Sequence, residues 1–392
     1  MMNIKSLYYQ QGEIANKRFG VMIESLYFLY LIYTNVIIIY GFEINNLGVL
    51  MLAGTAALIL FSTQPVRIFE SPTVTFTVLM TFYMFFVVGL AHNQFMMVLF
   101  DQLMTMVLTA IIFVFLVHRP GFFKRMIFLM YIIGVIAFAN ADTSEYGRLQ
   151  GGGNLGNPNV FASWMAFACL GLAMWGFHAR SLPEKIGTWG MMFYGLVIIG
   201  LTVSRGALLA LIVALVVFLI IYAPRSSGPI NIIITLILIG IGAGIFTQTP
   251  VFQSITESYS DRLDKESGRE ELWPAAIAQI RESPVLGYGN SGLKVATPTK
   301  VHSSHNPFLT LGLIAGVFPP LLLAVMYGLG ALRMEKRYTL DGVFWLPAFF
   351  IYTFMMINFS NWYFPRPWAM LTLVAALEYR HLLSNPSELE EE

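Results

Sequence analysis

Twelve stretches of this chain are each long and apolar enough to cross a hydrocarbon layer, which leaves few folds open to it. A bilayer core about 30 Å thick takes on the order of 20 mainly apolar residues per helix. Such runs fall near residues 20–40, 46–62, 72–91, 95–117, 121–140 and 158–177, then 186–204, 206–223, 229–249, 306–332, 342–360 and 365–384. Pro72, Pro120, Pro158, Pro224, Pro229 and Pro250 fall at the edges of these runs, where helix breakers belong. Charged residues make up 11% of the chain, against about 25% in an ordinary soluble domain. The expected fold is an all-α polytopic membrane protein with about twelve transmembrane helices.

The first run begins near Phe19 and continues past Tyr40 with no small-residue cleavage site. It reads as a retained helix and not as a removed signal peptide. Cys169 is the only cysteine and lies in an apolar run, so neither a disulfide nor a thiolate zinc site is expected. No phosphate-binding glycine loop with its lysine and no helical zinc motif is present. ATP-driven work is therefore not expected, and no cofactor is called for. Residues 1–392 are expected to form a single integral membrane domain, with 250–305 as the one long loop, between predicted helices 9 and 10.

Lysine and arginine in short loops set orientation. With a cytoplasmic N-terminus, fourteen of the 23 fall in inside segments, among them Arg119, Arg125 and Arg333. The short outside loops hold only Arg148, Arg205 and Arg366, and the long loop holds the other six. Both termini are then cytoplasmic and the long loop is extracytoplasmic.

That sidedness draws attention to three arginines on the face that short loops normally keep free of them. Arg148 precedes Gly151-Gly152-Gly153, Asn154, Gly156, Asn157, Pro158 and Asn159, a stretch whose backbone can approach another group closely. Arg205 sits in the turn Ser204-Arg205-Gly206, with almost no loop to carry it, and Arg366 lies between Pro365 and Pro367. For any one of them the plain alternative is snorkelling to a lipid headgroup. Grouped on one side, they suit an anionic substrate.

Within the long loop, Arg269 opens a segment with Trp273, Ala275, Ile277, Ala278 and Ile280 at the spacing of a short amphipathic helix. A lid packed on the membrane helices explains that pattern equally well. The loop closes on His302-Ser303-Ser304-His305-Asn306. His305 is placed to take a proton from a hydroxyl, because an imidazole titrates near neutrality; a hydrogen-bonded structural histidine is the alternative. His302 is the weaker candidate. Glu24, Asp101 and Gln102 fall inside predicted spans, where polar groups are costly and serve either function or helix-to-helix bonding.

Four local motifs, in order, resemble those of the O-antigen ligase and polymerase superfamily of bacterial envelope glycosyltransferases. They are Arg148 with Gly156-Asn157-Pro158-Asn159-Val160-Phe161-Ala162; Leu201-Thr202-Val203-Ser204-Arg205-Gly206-Ala207; Gly268-Arg269 to Trp273 with Ser283-Pro284-Val285-Leu286-Gly287-Tyr288-Gly289; and His305-Asn306 with Leu309 and Gly312. They span residues 148 to 312, while the N-terminal third matches only as generic membrane helices.

The resemblance implies a GT-C-like fold in the bacterial inner membrane, with short amphipathic helices in the loop and an active site facing the periplasm. It also implies a metal-independent transfer from an undecaprenyl-diphosphate-linked glycan to an acceptor hydroxyl. His305 would then be the base or acceptor-orienting residue, with Arg205 and Arg269 on the diphosphate. Arg148 would assist them; Arg366 joins the set from its sidedness alone. Ser204, Asn306 and His302 would support the site. Partners are the lipid-linked donor, a glycan or lipid acceptor and the bilayer, with no nucleic acid. Arg269 and His305 are 36 positions apart, shorter than in ligases that dock lipid A-core. The short segment favours a surface-polysaccharide polymerase; a ligase, a protein O-oligosaccharyltransferase and, in another class, a flippase of lipid-linked sugars stay open. A flippase needs binding groups near the midplane, and the charges here gather at one face.

Overall fold

The computed structural model describes residues 18–41, 46–62, 68, 70–92, 97–119, 121–143, 148–179, 181–221, 240, 244, 247–263, 269–296, 301–302, 304–333, 346–359 and 366–382. The elements in chain order begin with α1 (Arg18–Asn35), α2 (Leu47–Ser62), α3 (Pro72–Phe86, extended by a π turn to Ala91), α4 (Met97–Leu116) and α5 (Phe122–Ala139). A short hairpin, β1 (Asp142–Thr143) with β2 (Leu149–Gln150), leads into α6 (Pro158–His178), α7 (Leu182–Leu201) and α8 (Arg205–Ile221). The loop contributes α9 (Pro250–Leu263), α10 (Arg269–Glu282) and a second hairpin, β3 (Val295–Ala296) with β4 (Val301–His302). The chain ends with α11 (Pro307–Ala315), α12 (Phe318–Arg333), α13 (Leu346–Phe359) and α14 (Pro367–Leu382).

By length and composition, Pro72–Ala91, Phe122–Ala139 and Pro158–His178 can each cross a membrane, and Leu47–Phe61, Leu103–Leu116, Arg205–Ile220, Phe318–Arg333, Leu346–Asn358 and Pro367–Glu378 are shorter apolar stretches. The predicted span at 229–249 lies almost wholly outside the described residues. At the centre stands α6, almost entirely buried and packed by α5, α7, α8 and α13. Small residues make that possible. Gly171 faces Ile127 so closely that an added Cβ would lie 2.4 Å from its side chain, and dense interiors have no slack for such an insertion.

The predicted run 306–332 is two helices and not one. Hydropathy is continuous through the segment, but Gly316 takes φ +76 and ends α11 before α12 begins. A Cβ there would meet the carbonyl oxygens of Val285 and Pro284 at 2.4 and 2.5 Å, so only glycine allows the close approach. As a result α11 lies alongside the loop helix α10, tied by Tyr288 N–H to Leu313 O (2.7 Å) and Val317 N–H to Pro284 O (2.8 Å). The remaining length, α12, runs on against α3 and α14.

The bundle has two chemically distinct ends. At one, Glu24 of α1 bridges Arg119 and Arg125, Ser71 donates to Glu378 at 2.6 Å, and Arg333 donates to Leu377 O at 2.6 Å. At the other meet the end of α1, the Gly151 to Gly153 loop, the starts of α6, α8, α10 and α11, and the end of α13. Asn154 there donates to Thr34 O at 2.6 Å.

Candidate functional site

Two helices at this second end begin in the same way. Asn157 precedes Pro158, and Asn306 precedes Pro307; each asparagine side chain accepts from the backbone N–H groups two and three residues on. An Asn cap with proline at the first helical position satisfies donors that the helix leaves open. The local sequence thus fixes where α6 and α11 start.

Between α7 and α8 the chain makes a short turn through Thr202, Val203 and Ser204, all buried. Val203 has φ +50, a rare conformation for a β-branched residue. Arg148 holds the turn: its Nε donates to Thr202 O (2.9 Å) and its Nη2 to Asn159 Oδ1 (2.8 Å). Ser204 Oγ donates to the same Asn159 oxygen at 3.1 Å. Arg205 then opens α8.

Arg269 opens α10 and is half-buried. Burial pushes its guanidinium below the ordinary arginine value, and the positive charge of Arg205 lowers it further. The two cations, 64 positions apart in the chain, therefore act on one another. Four residues beyond Arg269 on the same helix face, Trp273 donates its indole N–H to Ser304 O at 2.9 Å. That bond sets the Arg269 face of α10 against the corner that carries His305.

The corner is itself tightly made. His305 has φ +52, and Ser304 Oγ lies 2.6 Å from Thr310 Oγ1 and donates to Asn306 O at 3.0 Å. Asn306 Nδ2 reaches Asn358 Oδ1 of α13 at 3.3 Å. Beside the Ser204 turn, between α7, α8 and α9, lies an almost wholly apolar cavity of about 850 Å³, lined by Gly200, Leu208, Phe252 and Ile255 among others.

Trp273 ties α10 to the His305 corner and the charge of Arg205 acts on Arg269, while Arg148, Ser204 and Asn159 hold the turn that precedes Arg205. For Arg366 the described electrostatic partner is Tyr30 of α1. The backbone of His302 pairs with Val295, while its side chain lies outside the described residues, as do those of Asp101 and Gln102. Glu24 is accounted for by its ion pairs at the other end. Sequence reasoning did not single out Trp273 and Asn358 as links. The spacing of Trp273 from Arg269 carried a signal; that of Asn358 carried none.

The class comes first: an integral membrane protein in which the helix opened by Arg269 is tied to a histidine-bearing corner. The family model Wzy_C, described as O-Antigen ligase, matches residues 190–324, which include Arg205, Arg269 and His305 but neither Arg148 nor Arg366. The resemblance to the O-antigen ligase and polymerase superfamily therefore holds over about a third of the chain, and that family's activity is ligase- or polymerase-type membrane glycosyl transfer. No curated protein matches the chain.

Proposed function

We propose that this protein transfers a glycan from a polyprenyl-diphosphate donor to an acceptor hydroxyl at the periplasmic face of the bacterial inner membrane, as a surface-polysaccharide polymerase of GT-C-like fold. The observation that carries the proposal is the Trp273 to Ser304 bond, which brings the arginine-bearing start of α10 to the His305 corner. In the reaction the acceptor oxygen bonds to the anomeric carbon as the bond from that carbon to the diphosphate oxygen breaks. The acceptor proton passes to the His305 imidazole. Negative charge grows on the departing diphosphate, where Arg205 and Arg269 meet it with charge-assisted hydrogen bonds. Two guanidiniums that disfavour one another gain a shared counter-ion at that moment. The donor already contains its activated leaving group, so neither a nucleotide nor a metal enters the scheme. The apolar cavity beside the Ser204 turn offers the lipid tail a place next to the charge.

A ligase is the second reading, and the description of the matching family favours it. Purified protein in liposomes, given a lipid-diphosphate glycan alone and then with lipid A-core, separates the two. Glycan lengthening with release of lipid diphosphate marks the polymerase. Transfer only when lipid A-core is present marks the ligase. Unchanged donor with folded protein and both acceptors supplied rejects transfer altogether, and donor appearing in the opposite leaflet instead marks a flippase.

A further inference from the structure

We infer that Arg148 is a positioning residue that sets the direction of Arg205, acting on protein acceptors and not as a third ligand of the diphosphate; the inference rests on the glycosyl-transfer reading above. In an unbroken helix the Thr202 carbonyl would accept from the N–H four residues on. The chain instead leaves α7 at Leu201 and restarts at Arg205, and Arg148 Nε supplies the bond to Thr202 O at 2.9 Å. The same guanidinium reaches across Val203: its Nη2 bonds Asn159 Oδ1 at 2.8 Å, and that oxygen also accepts from Ser204 Oγ at 3.1 Å. One planar group thus holds the residues on both sides of a valine at φ +50. Such a conformation persists only where its surroundings over-determine it. The clamp is anchored in turn, because Arg148 leads into β2, whose Leu149 and Gln150 pair with Thr143 and Asp142. Where α8 begins, and so where the Arg205 guanidinium points, depends on this clamp. A fork with two fixed donors can make it; an ammonium on a flexible stem cannot.

Charge and geometry are separated by two substitutions. In Arg148→Gln an amide N–H stands where Nε stood and the charge is gone; in Arg148→Lys the charge stays and the fork is gone. Positioning requires Gln to retain more kcat/KM than Lys, and Arg148→Ala to lose on the order of 10²-fold, the cost of a misplaced reactive group. Combined with Arg205→Ala, Arg148→Ala then costs nothing further, whereas combined with Arg269→Ala the losses multiply. Lys outperforming Gln, or losses that multiply with Arg205→Ala, overturns the inference. A second measurement needs no turnover. Cysteine placed by Gly206→Cys is labelled with a maleimide, Cys169 being buried, and should react several-fold faster in Arg148→Lys and Arg148→Ala than with Arg148 intact. Equal rates across these proteins, with matched thermal melting, also overturn it. A parent protein that transfers no glycan rejects the proposed function, and the labelling rates still decide the clamp.

Discussion

Arginines occur at both ends of this bundle, and their company differs. At the Glu24 end, one carboxylate takes Arg119 and Arg125 together, the second through Nε at 2.6 Å and Nη2 at 3.0 Å. At the other end the guanidinium of Arg148 bonds a carbonyl and an amide, and Arg205 and Arg269 disfavour one another electrostatically. The first arrangement is complete within the protein and stabilises the packing of α1 on α4 and α5. The second sets Arg148 on protein acceptors at the turn before Arg205, and the charge of Arg205 acts on Arg269.

The sharpest way to break this comparison is to remove the proton acceptor. His305→Asn retains a residue type that tolerates the left-handed backbone, so the φ +52 corner survives while the imidazole is lost. Turnover should fall by about 10²–10⁴-fold, the usual worth of a general base, with donor binding little changed. Turnover close to that of the parent would remove His305 from the chemistry. Next in size are Arg205→Ala and Arg269→Ala, each expected to cost about 10²–10³-fold in kcat/KM and, unlike the histidine change, to weaken donor binding as well. A loss confined to kcat in both would mean that the diphosphate lies elsewhere.

Glu24→Ala tests the opposite end. It leaves two guanidiniums without their shared carboxylate, and Glu24 is only 5% exposed, so the break should cost about 3 kcal/mol of stability. Unfolding in detergent measures that cost, and activity per folded molecule should be unaltered. Stability unchanged with activity lost would show that the two ends are not separable.

How much of this was legible in the sequence depends on how local the cause is. The starts of α6 and α11 follow from Asn157-Pro158 and Asn306-Pro307, and the start of α10 from the apolar spacing after Arg269. Most apolar runs became helices within a few residues of their expected ends. The helix α9 was missed because its composition is polar, although Phe252, Ile255 and Tyr259 fall on one face and line the cavity. The break at Gly316 was hidden by continuous hydropathy; its cause is the backbone of Val285 pressed against it. Arg148 was noticed for its charge, but its bond to Thr202, 54 positions away, has no local signature. Trp273 to Ser304, at 31 positions, is the same case. Sidedness grouped Arg366 with the other arginines; the electrostatic partner described for it is Tyr30 of α1, far away in the sequence.

The smallest expected effect is the most informative about where the site stops. Among the described residues, Asn358 reaches the His305 corner through Asn306 Nδ2, at 3.3 Å, and its own amide is already oriented by Phe354 O at 2.7 Å. Removing it in Asn358→Ala leaves Asn306 Oδ1 still capping α11 through Phe308 and Leu309, so the corner keeps its main support. A neutral, long hydrogen bond contributes about 0.5–1.5 kcal/mol at most, which bounds the loss in kcat at roughly tenfold. Asn306→Ala, by contrast, removes the cap together with the link and should cost more in both stability and turnover. If Asn358→Ala instead approaches the loss seen for His305→Asn, then α13 contributes directly to the acceptor side of the reaction, and the boundary of the site moves from the loop into the bundle.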